Sequence, residues 1–221
     1  MEVPDREDLC RIIGSAGISG NSRVVLCNAV DNPYRLADAA RAAFTLICGG
    51  VRSASVLNGG IDGWKNDGFP LSTERTQPSP VRYKSDLRAD MVVTRDYVLK
   101  RIGSARIVDA RDASCYFGAE VDSLAPRPGH IPTAVSIPSP WLWTADGRYR
   151  DPAILAEMAE NNLGADRSTE IITYCGVGGY GSAAWFVLHE LLGYTDVRLY
   201  DGSAQEWMSD PENPVRAYTW T

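Results

Sequence analysis

A weak internal repeat is the feature that most limits what this chain can fold into. "VVLCNAV" at 24–30 resembles "IITYCGV" at 171–177, and "LNGGIDGW" at 57–64 resembles "YDGSAQEW" at 200–207. In both copies an apolar, β-prone run carries a cysteine at or near its end, and further on a Gly stands five residues before a Trp. Helical and strand patterns alternate around these segments. In the first copy they predict helices over 5–16, 34–47 and 60–66 and strands over 23–27 and 53–57. In the second they predict helices over 94–102, 151–163, 182–192 and 203–208, with strands at "ARIVDA", 170–174 and "VRLY". Residues 111–150 form a long proline-rich excursion. Strands that alternate with helices predict an α/β fold: two related domains with central parallel sheets flanked by helices.

The boundaries follow from composition. The stretch 69–90, "FPLSTERTQPSPVRYKSDLRAD", is polar and holds three prolines. We expect a first domain over 1–70, a linker over 71–90 and a second domain over 91–221. The copies are unequal. The second starts near Val92, 83 residues before Cys175, whereas only 26 residues precede Cys27. The first copy is therefore expected to be a partial domain without its opening strand or a counterpart of "GHIPTA". Its sheet edge would be uncovered and open to self-association.

Composition narrows the function. Among 221 residues, 44% are apolar and 23% charged, ordinary values for a globular chain. The net charge of −6 and the lack of a basic stripe argue against a nucleic-acid partner. No apolar run approaches 18 residues, so no membrane partner is expected. The five cysteines are widely spaced, there are only two histidines, and no metal-ligand pattern occurs. This suits a reducing, cytoplasmic compartment, with no metal or organic cofactor.

The densest chemical signal is "ITYCGVGGYGSAAW" at 172–185. Cys175 ends a predicted parallel strand, where open α/β sheets place their ligands. Gly176, Gly178, Gly179 and Gly181 follow within six residues. Such a loop can turn successive N–H groups inward as an anion nest, and a helix from Ser182, its expected N-cap, would add positive potential. Both features favour the thiolate, the nucleophilic form of cysteine. Two chemistries use a cysteine cradled in this way. A tyrosine-phosphatase-like site needs an Arg six residues after the cysteine, and Gly181 stands there. Persulfide chemistry, in which the cysteine carries an extra sulfur, has no such requirement.

The segments "VDARDASCYFG", "RPGHIPTAVSIP" and the run from "ITYCGVGGYG" to "YDGSAQEW" together resemble the C-terminal catalytic domain of the tandem rhodaneses, the thiosulfate and 3-mercaptopyruvate sulfurtransferases. The likeness covers about 92–214, and residues 5–70 resemble part of the family's non-catalytic N-terminal domain. It implies a double displacement: a sulfur donor loads Cys175, and cyanide or a thiol removes the sulfur. Carried over by position, Cys175 is the persulfide-forming cysteine. Gly176, Val177, Gly178, Gly179 and Tyr180 are its substrate-binding loop. Arg127 is an arginine that binds the anionic donor, and Asp109 and Arg111 frame the site. Gly202 and Trp207 match packing positions. Gly176 departs from the basic residue of thiosulfate-type loops, and Val177 from the serine of mercaptopyruvate-type loops, so both donors stay open. A catalytically inert rhodanese-like binding or regulatory module is the alternative.

Other residues carry less. Cys27 aligns with Cys175, but its loop "CNAVDNPYR" has no glycine and places Asp31, unfavourable to a thiolate, nearby. Cys115 is a loop thiol that borders the site, and Cys10 and Cys48 fall on apolar helix faces. His130 in "PGHIP" is expected to hold a turn, and His189 to lie within a helix. Tyr180 is expected to narrow the entrance or offer a hydroxyl to the substrate. Trp141 and Trp143 either wall the pocket or pack the excursion.

Overall fold

A computed structural model describes residues 2–29, 32–84 and 87–218, and for Pro33 the backbone alone. The chain divides into two compact units. One comprises Val3–Ala89 with Ala145–Arg148, and the other consists mainly of Asp90–Thr144 and Tyr149–Thr221.

In the first unit, α1 (Arg6–Ser15) is capped by Asp5, whose carboxylate accepts the Asp8 N–H at 2.9 Å. β1 (Arg23–Leu26) is followed by α2 (Pro33–Cys48), whose cap Asn32 accepts the Arg35 N–H at 3.0 Å. β2 (Ser53–Val56) and α3 (Gly60–Asn66) complete it. β1 and β2 pair in parallel, Arg23 against Ser53 through Leu26 against Val56. Leu9, Ile13, Val51 and Tyr83 form a small core. Tyr83 comes from the segment read as a linker, and that segment is tied to this unit. The Tyr83 hydroxyl donates to the Gly49 carbonyl at 3.0 Å, and the Val81 N–H to the Gly14 carbonyl at 2.9 Å. A Cβ on Gly14 would meet the Val81 oxygen at 2.4 Å, so only glycine permits this approach. Polarity and proline content describe the segment's lack of regular structure but not its packing.

The second unit runs β3 (Val92–Val93), α4 (Arg95–Arg101), β4 (Arg106–Asp109), α5 (Ala113–Phe117), β5 (Val135–Ser136), α6 (Pro152–Leu163), β6 (Ile171–Tyr174), α7 (Gly179–Phe186), β7 (Val197–Tyr200) and α8 (Ser203–Ser209). The five strands form a parallel sheet in the order β3-β7-β6-β4-β5. β6 is buried at every position, as a central parallel strand covered on both faces must be. A single core gathers Val98, Ile107, Ile131, Ile172, Tyr200 and Trp207 around the sheet. The elements expected from periodicity are present within a few residues. Two short elements inside the excursion, α5 and β5, were hidden by its prolines. The helix expected over 182–192 starts three residues earlier and, after Phe186, continues as a π-helical turn over Val187–Leu191.

The order of the strands positions the site. From β4 the chain moves outward to β5, and from β6 it moves outward the other way to β7. The carboxyl ends of β4 and β6 therefore flank a point where the winding direction reverses, the place where such sheets bind ligands.

Candidate active site

Cys175 follows β6 directly, and Asp109, opposite Tyr174 in register, ends β4. The loop from Cys175 turns back at Gly178, whose φ of 91° is a left-handed conformation that a side chain would resist. Gly178 is the cap of α7, and the helix begins at Gly179. Ser182 is thus in the first turn rather than at the cap. Its hydroxyl donates to the Gly178 carbonyl at 2.7 Å and helps close that turn.

The thiol is held by backbone. The Gly178 N–H donates to Sγ at 3.1 Å, and the N–H groups of Gly181 and Val177 also favour the sulfur anion. The carbonyls of the same loop are bonded elsewhere. The Ala204 N–H donates to the Cys175 oxygen at 2.8 Å and the Gln205 N–H to the Gly176 oxygen at 3.0 Å. Ser203 Oγ accepts the Cys175 N–H at 3.2 Å and donates to the Tyr200 carbonyl at 2.9 Å. Ser203 adopts φ 55°, a strained value for a non-glycine residue, to make this junction. The first turn of α8 therefore holds the loop's carbonyls while its N–H groups serve the sulfur.

Cys175 is only 3% exposed. Burial pushes its thiol up, and Asp109 adds to that, against the lowering by the three N–H groups. The loop and helix dipole were expected to favour the thiolate. In the resting protein desolvation outweighs them.

Asp109 and Arg111 form a buried frame. Arg111 Nε and Nη2 donate to the Asp109 carboxylate at 3.0 and 2.6 Å, and Nη2 also to the Gly129 carbonyl at 2.7 Å. Tyr174, missed in the sequence, completes the frame: its hydroxyl donates to Asp109 Oδ2 at 2.6 Å and accepts the Ile131 N–H at 3.1 Å. Gly129 carries φ 98°, and a Cβ there would sit 2.1 Å from the Arg216 oxygen. That close approach explains the glycine of "PGHIP". Burial lowers the His130 pKa, and its Nδ1 is 2.8 Å from the Tyr116 carbonyl with the ring stacked on Tyr116 at 3.9 Å. The histidine is structural.

Arg127 is a correction. Its guanidinium donates to the carbonyls of Met208, Asp210, Asn213, Trp207 and, at 3.5 Å, Pro211. It clamps the end of α8, and its donors are committed to main-chain oxygens rather than a ligand. Tyr180 is a second correction. It is 6% exposed, its ring lies 6.5 Å from that of buried Trp143, and its carbonyl accepts from the Ser139 hydroxyl at 2.8 Å. It is a wall beneath the loop and does not present a hydroxyl at an open mouth. Trp141 is exposed.

Gly176 faces a residue that the sequence did not single out. A Cβ there would lie 3.0 Å from Asp122 Oδ2. Gly181 packs against the sheet: a Cβ would stand 2.9 Å from Leu199 Cδ1 and 3.2 Å from the Tyr174 backbone, which leaves no room for the arginine of a phosphatase.

The other thiols are placed differently. Cys27 is exposed, and burial with Asp62 pushes its pKa up; Asp31 lies outside the described residues. Cys115 is half-buried on α5, raised by burial and by Asp122. Cys48 is buried, Cys10 half-buried, and His189 stacks on Trp185 at 4.6 Å. Among the described residues no cluster of His, Cys, Asp or Glu could hold a metal, and no helix is long and apolar enough to cross a membrane.

The profile of the Rhodanese-like domain matches residues 94–210. The Sulfur carrier protein TtuD of Thermus thermophilus is 33% identical over 214 residues, 91% of this chain and 73% of that protein. The Thiosulfate sulfurtransferase of Rattus norvegicus is 30% identical over 221 residues, 97% of this chain and 73% of the relative. Among solved structures, the anaerobic ergothioneine biosynthesis enzyme from Chlorobium limicola, in complex with its natural substrate trimethyl histidine, superimposes with a TM-score of 0.86 at 25% identity. That match covers 99% of this chain but 56% of the enzyme.

Proposed function

The chain belongs to the rhodanese-like family of sulfurtransferases, and we propose that it moves a sulfane sulfur from a small-molecule donor to cyanide or a thiol through a persulfide on Cys175. The observation that carries this reading is the orientation of the loop. A sulfur at Cys175 meets N–H groups from Val177, Gly178 and Gly181, while the carbonyls of Cys175 and Gly176 are bonded to α8. This is an oxyanion-type arrangement built for a sulfur anion.

In the first half-reaction the Cys175 thiolate attacks the outer sulfur of thiosulfate or the sulfur of 3-mercaptopyruvate. Sulfite or pyruvate departs, and the loop holds the persulfide. In the second, an acceptor attacks the outer sulfur and the cysteine returns as thiolate. Asp109, Arg111 and Tyr174 keep the end of β4 in place beside the loop. The raised thiol makes the first step dependent on deprotonation, so loading accelerates as pH rises. The first unit serves as a non-catalytic companion, since its aligned Cys27 lacks a glycine loop.

The buried thiol favours a second reading, an inert rhodanese-like module that retains the loop for binding. Intact mass decides between them. Incubation with thiosulfate or 3-mercaptopyruvate should add about one sulfur, on the order of 32 Da, which cyanide removes and Cys175→Ser abolishes. A folded protein that gains no sulfur from either donor overturns the catalytic reading.

A further inference from the structure

Asp122 places a carboxylate against the residue that follows the sulfur-carrying cysteine. Its Oδ1 accepts the Leu124 N–H at 2.9 Å, which fixes the side chain. Its Oδ2 lies 3.0 Å from where a Cβ on residue 176 would stand, and Leu124 Cδ1 lies 3.7 Å from the same point. The side chain is 15% exposed, so the charge sits at the rim, partly withdrawn from water. A basic side chain at position 176 would meet this carboxylate, and the chain has Gly176 instead.

The neighbouring cations do not reverse the sign. Loop 175–181 holds no Lys or Arg. Arg127 is spent on the carbonyls at the end of α8. Arg111 commits Nε and Nη2 to Asp109 and Gly129, and its Nη1 stands 4.0 Å from Asp122 Oδ2. Asp109, Asp122 and Arg111 together leave one negative charge about the loop. A dianion entering here approaches a carboxylate in a medium that screens poorly, whereas an ammonium group is attracted by it.

We propose that Asp122 selects the sulfur donor by charge, favouring a small persulfide that carries an ammonium group near its sulfane sulfur over a dianion such as thiosulfate. The proposal rests on Cys175 as the sulfur carrier. The transfer balances without an added oxidant or reductant. The Cys175 thiolate attacks the terminal sulfur of R–S–SH, an Sγ–S bond forms, the donor's S–S bond breaks, and its electron pair leaves with R–S⁻. The terminal sulfur keeps its proton, and the donor's ammonium faces Asp122 Oδ2.

The test compares cysteamine persulfide, 2-mercaptoethanol persulfide and thiosulfate. The two persulfides differ in carrying an ammonium or a hydroxyl group, and each rate is normalised to the donor's reaction with free cysteine. Sulfur loading is followed by intact mass on wild type, Asp122→Asn and Cys175→Ser. Asparagine keeps an oxygen for the Leu124 N–H. At low salt the wild type should load from cysteamine persulfide about tenfold faster than from its hydroxyl analogue, and 0.5 M salt should erode that preference. Asp122→Asn should abolish the preference and raise loading from thiosulfate about tenfold. The wild-type ratio and its salt dependence keep the test decisive if the variant folds poorly. Ratios within twofold of unity in a wild type that loads Cys175 overturn the charge selection alone. Absence of sulfur on Cys175 from every donor overturns the sulfur-carrier reading and this proposal with it.

Discussion

Replacing Arg127 by Met separates two roles that one arginine could hold. The structure gives its guanidinium to the carbonyls of Met208 at 2.9 Å, Asp210 at 2.6 Å, Asn213 at 3.1 Å and Trp207 at 3.2 Å. A hydrogen bond to a charged group contributes about 1.5–3 kcal/mol when made alone. Four acceptors share one charge here, and the side chain is half-buried, so the sum is smaller than four separate bonds. Methionine keeps the aliphatic stem and removes every donor. We expect a loss of about 3–5 kcal/mol, within the range for breaking a buried network. For a chain of this size that is a fall in Tm on the order of 10 °C. Arg127→Lys should recover only part, because a point charge cannot serve a ring of carbonyls. The assay is thermal denaturation of the three proteins, with donor KM measured at a temperature where all remain folded. A Tm within 2 °C of wild type combined with a tenfold rise in KM would refute the clamp and restore Arg127 as a donor site.

The remaining predictions concern the loop and its frame. Gly181→Ala should cost about 1–3 kcal/mol by forcing α7 away from Leu199 and Tyr174, and should slow sulfur loading as the Gly181 N–H leaves the thiol; unchanged stability in denaturant would contradict the contact. Tyr174→Phe strands a buried Asp109 oxygen and the Ile131 N–H and should cost about 2–4 kcal/mol, read by urea unfolding. Burial raises the Cys175 pKa in the folded state, so above the ordinary thiol value near 8.5 the unfolded chain releases a proton that the folded chain retains. Stability should therefore fall with rising pH from that point, by up to about 1.4 kcal/mol per unit, and Cys175→Ser should lack this component in parallel Tm measurements.

Much of this arrangement was legible in the sequence because it rests on period and on glycine. The alternation of strands and helices is a local signal, and the parallel sheet follows from it. Cys175 and its glycines announced themselves because few other structures need four glycines beside one thiol. What stayed hidden depends on contacts between distant segments. Arg127 lies 81 residues from Met208, whose carbonyl it binds, and nothing near it in sequence reveals that partner. Asp122 lies in a proline-rich stretch where no period marks its direction. The expectation of a favoured thiolate considered dipoles alone, and the depth at which the sheet holds Cys175 cannot be read from its neighbours in sequence. Ser203 was visible within "DGSAQEW", but its strained φ belongs to the junction with Cys175 rather than to the motif.

The reactive centre is assembled by main chain, and that decides where it is vulnerable. The N–H groups of Val177, Gly178 and Gly181 act on the sulfur only while the intervening peptides hold their orientation, and α8 sets that orientation through Ser203, Ala204 and Gln205. Helix α8 is short, seven residues, and is fixed at its far end by Arg127. A side chain that touches neither donor nor sulfur thus bears on catalysis through a helix whose two ends are both pinned. Loosening the clamp releases the carbonyls of Cys175 and Gly176, and those carbonyls can then rotate toward the thiol. A lone pair aimed at a sulfur anion repels it where an N–H attracts it, so even a partial rotation raises the thiol further. Loading should therefore fail in Arg127→Met before the fold does, with the loss concentrated in kcat because the donor's own contacts are untouched.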